Sequence, residues 1–310
     1  MSLFIKDILY LPMTGSPQLK KGSIRMEGQR ITEIGDIAPK WGDEIIFGHD
    51  KIALPGFVNG HCHAAMTLLR GYGEDLPLKE WLRLVQRAET YLTGEDLFWG
   101  SLLAQLEMLK AGITCYADMY FDEGASAWAM EESGIRGILG NGLVDRDGKG
   151  DVYLRDMTQL IDGCKNDLQG RLTFAFAPHA PYSCSDGYLK EVAQEAKHRD
   201  LPLHIHLAET EKEQEECLAR SGKRVLLHLD DLGILNQKVF AAHMIHLDEA
   251  ELDLVKAKAV RVVHCPQSNM KLASGIINYP ALKKRGTRMN GIILYAAETE
   301  RNRHIKKESQ

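Results

Sequence analysis

Hydrophobic positions along the chain fall into short apolar runs that alternate with longer amphipathic stretches. Seven such runs follow residue 51, and between several of them apolar residues recur at helical spacing. The runs cover residues 52–61, 112–120, 135–144, 172–177, 201–207, 239–245 and 259–264. Alternation of strands and helices repeated this often predicts an α/β fold with a parallel sheet.

The stretches between the runs carry helix signals. Those with a helical composition are residues 93–111, 187–198, 210–221 and 249–258. Thr93 followed by Glu95 and Asp96 is typical of a helix start, and Gly112 of a helix end. Seven strands alternating with helices favour a (β/α)₈ TIM-like barrel of about 250 residues. The alternative is a doubly wound open sheet, which would want a Gly-rich phosphate turn after an early strand, and no G-x-G-x-x-G motif stands there.

The first fifty or so residues have a different texture. Apolar and β-branched residues mix between Gly, Pro and Asp, which predicts short strands over 4–11, 23–34 and 43–52. Gly28 with the following Gln29 has the composition of a hairpin tip. We therefore predict a small β module over residues 1–53, a barrel over 54–298 and a polar tail over 299–310.

Composition excludes several classes of protein. The chain has 310 residues, 44% hydrophobic and 26% charged, with a net charge of −5, so we expect a globular protein without a nucleic-acid partner. No run approaches the ~18 apolar residues of a membrane span. The six cysteines form no C-x-x-C pair and no segment resembles a signal peptide, so we expect reduced thiols in the cytoplasm. Whether the chain forms a homo-oligomer stays open.

Histidines stand at the carboxyl ends of the apolar runs, where a (β/α)₈ barrel builds its active site. His61 and His63 end the first run, and residues two apart on a strand face the same side. His206 ends the fifth run, so a third imidazole comes from another strand. Catalytic zinc typically takes three protein ligands and a water. The three histidines are therefore candidate ligands of one divalent ion.

Other polar residues at the same strand ends are candidates for chemistry on a substrate. Glu209 follows His206 closely and can take a proton from an attacking water and pass it to a departing amine. The alternative is an acid that the helix macrodipole favours. His243 is placed to hold or polarise the water, and His179 is better placed for substrate than for metal. His204 is interpreted as a packed core histidine.

Several segments resemble the amidohydrolase superfamily. Residues 54–63 read Leu-Pro-Gly-Phe-Val-Asn-Gly-His-Cys-His and are similar to its first-strand motif. Further segments resemble the branch of 5-methylthioadenosine/S-adenosylhomocysteine deaminases and related chlorohydrolases, and the resemblance extends to about Gly286. These segments are residues 75–82, 179–185, 206–210 and 264–275.

The resemblance implies a metal-dependent deaminase. A barrel with a small β-sandwich would bind one divalent ion, Zn²⁺ or Fe²⁺, through His61, His63 and His206. Glu209 would be the proton shuttle and His243 would lie near the attacking water. The implied reaction removes the amino group of an adenosine-type nucleoside as ammonia. The alternatives are an amidohydrolase that acts on another ring, such as a chlorotriazine, guanine or cytosine, and a catalytically inactive remnant.

The resemblance also implies substrate contacts. Glu89 matches the ribose-binding glutamate of the family, and His179 matches a substrate contact. An arginine is expected after the third strand, and Arg155 is the candidate for it. Asn141 stands where some members of the family carry another arginine.

The pattern departs from the family after Gly275. The family's eighth strand ends in Gly-Thr-Asp-Gly, and its Asp is a metal ligand and base. Leu294 falls at that position here, and the nearest acid is Glu298. We therefore expect an atypical eighth strand, weak metal binding and impaired deamination, with a frameshift or truncation as its origin.

Overall fold

The computed structural model describes residues 2–13, 18–73, 75–164 and 167–287. The chain divides into two compact units, Met1–Gly56 and Phe57–Gln310. The sequence placed the corresponding boundary after residue 53. The predictions for the eighth strand, with Leu294 and Glu298, and for the polar tail lie outside the described residues.

The first unit contains a five-stranded sheet. Its strands, β1 to β5, are Ser2–Tyr10, Lys20–Glu27, Arg30–Gly35, Asp43–Phe47 and Ile52–Ala53. Strand β1 pairs antiparallel with β2 and parallel with β4 and β5. The β2–β3 hairpin turns at Gly28, whose φ of +57° is a left-handed conformation that glycine adopts without a Cβ clash. The predicted hairpin is therefore present at the predicted place.

The second unit contains the predicted barrel strands. They are β6 (Phe57–Cys62), β7 (Ile113–Tyr120), β8 (Arg136–Leu143), β9 (Leu172–Phe174), β10 (Ala177–Pro178), β11 (Leu203–Leu207), β12 (Val239–His243) and β13 (Arg261–Val263). All their pairings are parallel, and a bridge between Phe176 and Leu203 joins the two groups of strands. Because β9 and β10 both pair with β8 and occupy one predicted run, the described residues provide seven strand positions in chain order. The predicted α/β barrel is confirmed.

Helices separate these strands. They are α1 (Leu78–Glu89), α2 (Gly94–Lys110), α3 (Glu123–Ser133), α4 (Gly150–Gly163), α5 (Asp186–His198), α6 (Glu211–Ser221), α7 (Val225–Asp231), α8 (Glu249–Ala257), α9 (Pro266–Lys271) and α10 (Tyr279–Lys284). The signals at the start of α2 form a capping box, in which the Thr93 hydroxyl accepts from the Asp96 amide at 3.2 Å and the Asp96 carboxylate from the Thr93 amide at 2.8 Å. None of the helices in the described ranges is long and apolar enough to cross a bilayer.

Apolar side chains fill the space between the strands and the helices. The largest cluster joins strands β8 and β11 to β13 with helices α4 to α8, and Phe176, Leu203 and Val262 within it are fully buried. This packing fixes the strands, and their carboxyl ends carry the histidines that the sequence singled out.

Candidate metal centre and active site

Three of the predicted histidines meet at the ends of β6 and β11. The donor atoms of His61, His63 and His206 all lie within 4.8 Å of one another. The Nε2 atoms of His61 and His206 are 3.1 Å apart. Two Zn–N bonds of about 2.0–2.1 Å at a tetrahedral angle separate their nitrogens by roughly 3.4 Å, so this spacing fits two donors to one small ion.

Backbone carbonyls fix the other side of two of these rings. His63 Nδ1 lies 2.5 Å from Met119 O, and His206 Nδ1 lies 2.8 Å from His179 O. Because a carbonyl oxygen only accepts, each Nδ1 carries the hydrogen and each Nε2 keeps its lone pair. Partners of this kind fix the tautomer of a metal-binding histidine. The donor set therefore suits a divalent ion.

His204 orients the remaining ring. It is fully buried, stacks on Phe240 at a centroid distance of 4.3 Å, and places its Nε2 2.8 Å from His61 Nδ1. Burial and the neighbouring His63 lower the pKa of His204 to about 3, which keeps the ring neutral and able to accept. The sequence identified His204 as a core residue but missed this contact, although its phase with His206 was the available signal.

Glu209 and His243 lie beside the three histidines. Glu209 is 3% exposed, and its Oε1 accepts from the Ser274 hydroxyl at 3.3 Å. Its Oε2 lies 3.8 Å from His243 Nε2. On the far side of the ring, His243 Nδ1 lies 2.7 Å from Asn269 Oδ1. Ser274 and Asn269 belong to residues 264–275, one of the segments that resemble the family, but the sequence alone did not indicate their contacts.

The backbone around His243 is unusual. His243 and Met244 have φ of +74° and +52°, in a region that residues other than glycine rarely adopt. Each such residue costs about 1–3 kcal/mol, so surrounding contacts must hold it. One of them is the hydrogen bond from the Met244 amide to Leu207 O at 2.9 Å. This strained segment carries His243 at the end of β12, where the imidazole lies beside Glu209.

One cavity brings these side chains together. His61, His63, His206, Glu209 and His243 line it. Its apolar walls include Met66, Leu78, Trp81, Leu82 and Leu272. Trp81 had no predicted role, although it lies in residues 75–82, another segment that resembles the family.

A second cavity shares part of this wall, including His63, Trp81 and His179, and extends to Glu89. The Tyr120 hydroxyl donates to Glu89 Oε1 at 2.7 Å. The pKa of Glu89 is raised above its usual value because the carboxylate is buried, and this hydrogen bond offsets part of the effect. His179 Nδ1 lies 2.8 Å from the Ser183 hydroxyl. The two predicted substrate contacts therefore lie along one continuous wall.

Arg155 and Asn141 lie apart from this cavity wall. The Arg155 side chain is 59% exposed on α4 and pairs with Asp156 at 3.4 Å. Its neighbours Leu154 and Met157 face the core, which leaves Arg155 on the outward side of the helix. Asn141 accepts a hydrogen bond from the Glu123 amide at 3.0 Å. The structure thus brings together every predicted site residue except Arg155.

The sequence matches a known protein family, and it is also similar to individual proteins. The model of the amidohydrolase family matches residues 52–296. A 5-methylthioadenosine/S-adenosylhomocysteine deaminase of Carboxydothermus hydrogenoformans is 42% identical over 89% of this chain, and the match spans 65% of that relative. A 5'-deoxyadenosine deaminase of Methanosarcina mazei is 39% identical over 93% of this chain and 68% of that relative.

Solved structures have the same fold. An adenosine deaminase from Xanthomonas campestris, with bound zinc, superposes with a TM-score of 0.87 at 32% identity, covering 96% of this chain and 69% of the other. A guanine deaminase from C. acetobutylicum with bound guanine reaches a TM-score of 0.83 at 21% identity, covering 93% and 73% of the two chains. The family match and the sequence relatives confirm the resemblance inferred from the motifs, and the solved structures share the fold.

Proposed function

The chain belongs to the amidohydrolase family, and we propose that it is a metal-dependent hydrolase that deaminates adenosine-type nucleosides. The proposed substrates are 5'-methylthioadenosine and S-adenosylhomocysteine, and one product is ammonia. The names of the relatives support the substrate class. The observation that carries the proposal is the meeting of His61, His63, His206, Glu209 and His243 in one cavity.

We assign His61, His63 and His206 as the ligands of one zinc ion. Burial and the neighbouring rings lower the pKa of His61 and His206 well below the usual value, so these rings are neutral, as metal binding requires. When bound, the ion supplies Lewis-acid activation of the attacking water. The zinc in the related adenosine deaminase supports this choice of metal.

Glu209 is the proposed proton shuttle. Its buried carboxylate takes a proton from the attacking water while oxygen bonds to the purine carbon that bears the amino group. Glu209 passes this proton to the ring nitrogen of the purine. It then relays the second proton of the water from the new hydroxyl to the amino group, so the C–N bond breaks, ammonia leaves and a carbonyl remains. His243 Nε2 positions the water, because the Asn269 contact at Nδ1 holds the ring. The product is an inosine-type nucleoside.

Glu89 and His179 are the proposed substrate contacts. Tyr120 engages one oxygen of Glu89, and the other is available to the ribose hydroxyls. The apolar side chains of Trp81 and Leu82 form the wall between Glu89 and the histidines, and suit a purine ring. Arg155 stays a prediction from the resemblance, because the ion pair that it makes, with Asp156, lies on the exposed side of α4.

We also propose a cytoplasmic location for the protein. All six cysteines are free thiols in the structure. Free thiols in this number fit a reducing compartment.

Replacing Glu209 with Gln tests the mechanism. The amide cannot take a proton, so we expect kcat to fall by about 10²–10⁴-fold, which is the usual contribution of a general acid–base. Glu215→Gln on the exposed face of α6 is the matched control and should leave kcat unchanged. Ammonia release from zinc-loaded protein is the measurement. Equal activity of Glu209→Gln and the control would contradict the assignment.

A substrate panel tests the specificity. Because Leu294 stands where the family has its aspartate, we expect slow ammonia release from 5'-methylthioadenosine, S-adenosylhomocysteine and adenosine, and none from guanine or cytosine. Chloride release from a chlorotriazine serves as the comparison for the chlorohydrolases. Turnover of guanine, cytosine or the triazine without turnover of the nucleosides would overturn the proposed substrate class, whereas no turnover with stoichiometric zinc would overturn the deaminase itself.

A further inference from the structure

The outward faces of α2 and α3 carry apolar side chains. Trp99, Leu103 and Leu106 follow helical spacing and lie on one side of α2, with exposed fractions of 56%, 43% and 53%. Trp128 of α3, 62% exposed, lies beside them. Trp99 and Trp128 both contact the ring of Phe98, at centroid distances of 5.0 and 5.1 Å. We call Trp99, Leu103, Leu106 and Trp128 the α2–α3 patch.

The inward face of α2 packs in the core. It buries Leu97, Ala104 and Met108. A surface helix ordinarily carries polar residues on its outer face. A contiguous exposed apolar patch of several hundred Å² is typical of an interaction site. The outward face of α2 therefore has the composition of a covered surface.

The arrangement of residues along α2 favours a second copy of this chain as the covering surface. Glu95 and Lys110 are exposed on the same side of the helix as the patch, in its first and last turns. Glu95 precedes Trp99 by the same number of residues as Lys110 follows Leu106, so the four positions are symmetric about a point beside Leu103. A two-fold axis through that point sets the two α2 helices antiparallel. Trp99 then faces Leu106 of the other copy and Glu95 faces its Lys110, each contact occurring twice.

The area of the patch also fits a dimer. With ~150–250 Å² for each aromatic side chain and less for each leucine, the exposed parts of the patch amount to roughly 400 Å². A standard interface takes about 800 Å² from each partner, of which a little over half is apolar. Tryptophan is among the residues that contribute most to binding in such interfaces. The patch therefore approaches the apolar part of one dimer contact.

We propose that the α2–α3 patch is a homodimer interface in which α2 packs antiparallel against α2 of the second copy. The interface is independent of the cavity, because none of its residues lines the walls described above.

Sedimentation of the full, zinc-loaded chain tests the proposal. At concentrations up to about 100 µM we expect a mass of twice 34.7 kDa. Leu103→Glu places two carboxylates beside the two-fold axis and should give a monomer. Leu218→Glu, at a leucine that is 50% exposed on α6, is the matched control and should stay dimeric. Circular dichroism melts establish that both variants are folded. A monomeric wild-type chain, or a dimeric Leu103→Glu, would overturn the proposal.

Charge exchange tests the antiparallel arrangement. Glu95→Lys and Lys110→Glu each bring like charges together at both ends of the interface, so each should raise the dissociation constant by roughly 5–30-fold. The double variant restores opposite charges at both contacts and should dissociate within about 3-fold of the wild type. A double variant that dissociates as readily as the single variants would exclude this geometry.

Discussion

The site has a metal end, which contains His61, His63 and His206, and a substrate end, which contains Glu89 and His179. These two ends are built in different ways. At the metal end, His61 and His206 stand on the sheet strands β6 and β11, and the Nδ1 of each ring contacts a partner, His204 Nε2 for His61 and the backbone carbonyl of His179 for His206. At the substrate end, Glu89 is the last residue of α1, and its contact is the hydroxyl of Tyr120. Side chains on regular elements hold their positions more closely than side chains next to loops, and helix ends fray. The comparison indicates a preorganised metal end and a more adaptable substrate end.

In this comparison of the metal end with the substrate end, the largest expected effect follows loss of a metal ligand. His206→Ala removes one of three nitrogen donors, so zinc affinity and turnover should both fall by more than about 100-fold, since loss of a partner behind a ligand already costs ~10–100-fold. His198→Ala, on the exposed end of α5, is the matched control. Zinc content after dialysis and ammonia release are the measurements. Unchanged zinc content in His206→Ala would show that the metal end lies elsewhere.

A smaller effect is expected behind the ligands. His204→Phe keeps the ring stacked on Phe240 but removes the acceptor for His61 Nδ1, so zinc affinity should fall by about 10–100-fold. His204→Gln retains an acceptor and should lose less. Competition with a chelator measures both affinities. If the two variants bind zinc as tightly as the wild type, the metal end is not preorganised by this contact.

At the substrate end we expect an effect on KM alone. Glu89→Gln weakens a charged hydrogen bond to the ribose, and KM should rise by about 10-fold, in the range of hydrogen bonds to ionised groups. Zinc content should not change. Glu80→Gln, exposed on the same helix, is the control. A fall in zinc content would show that the two ends are coupled and would break the comparison.

The smallest effect is expected at Arg155. Its side chain is exposed on α4, so Arg155→Ala should change KM and kcat by less than about 2-fold, as is usual for surface substitutions. Steady-state kinetics with S-adenosylhomocysteine are the measurement, because its charged tail gives an arginine the best chance of contact. An increase in KM of about 10-fold would show that α4 moves towards the bound substrate and that the substrate end is still more adaptable.

Local signals made much of the fold predictable. The capping residues Thr93 and Asp96 lie three residues apart in sequence, and the strands could be predicted from their apolar runs. Helix α1 was not predicted, although Leu78, Leu82 and Val85 have helical spacing, because its N-cap, Pro77, makes no side-chain hydrogen bond and so gives no capping signal in the sequence. Its position decides the substrate end, which makes this omission the costly one.

The candidate site was predictable where residues shared a strand end. His61, His63 and His206 needed only the rule that parallel strands of a barrel end on one face. The contacts of His204 with His61 and of Asn269 with His243 join distant parts of the chain, so they depend on the packing of the whole barrel. Arg155 does not line the cavity because α4 buries Leu154 and Met157, and this orientation of the helix turns Arg155 outward.

The left-handed backbone at His243 and Met244 places the stability of the folded chain in conflict with the need for an imidazole at position 243. Glycine at either position would adopt the same backbone without steric conflict and lower the energy of the folded state. A laboratory selection for heat resistance alone would therefore favour mutations at the end of β12. Variants selected at position 243 would be more stable but would lack the imidazole that the proposed reaction needs.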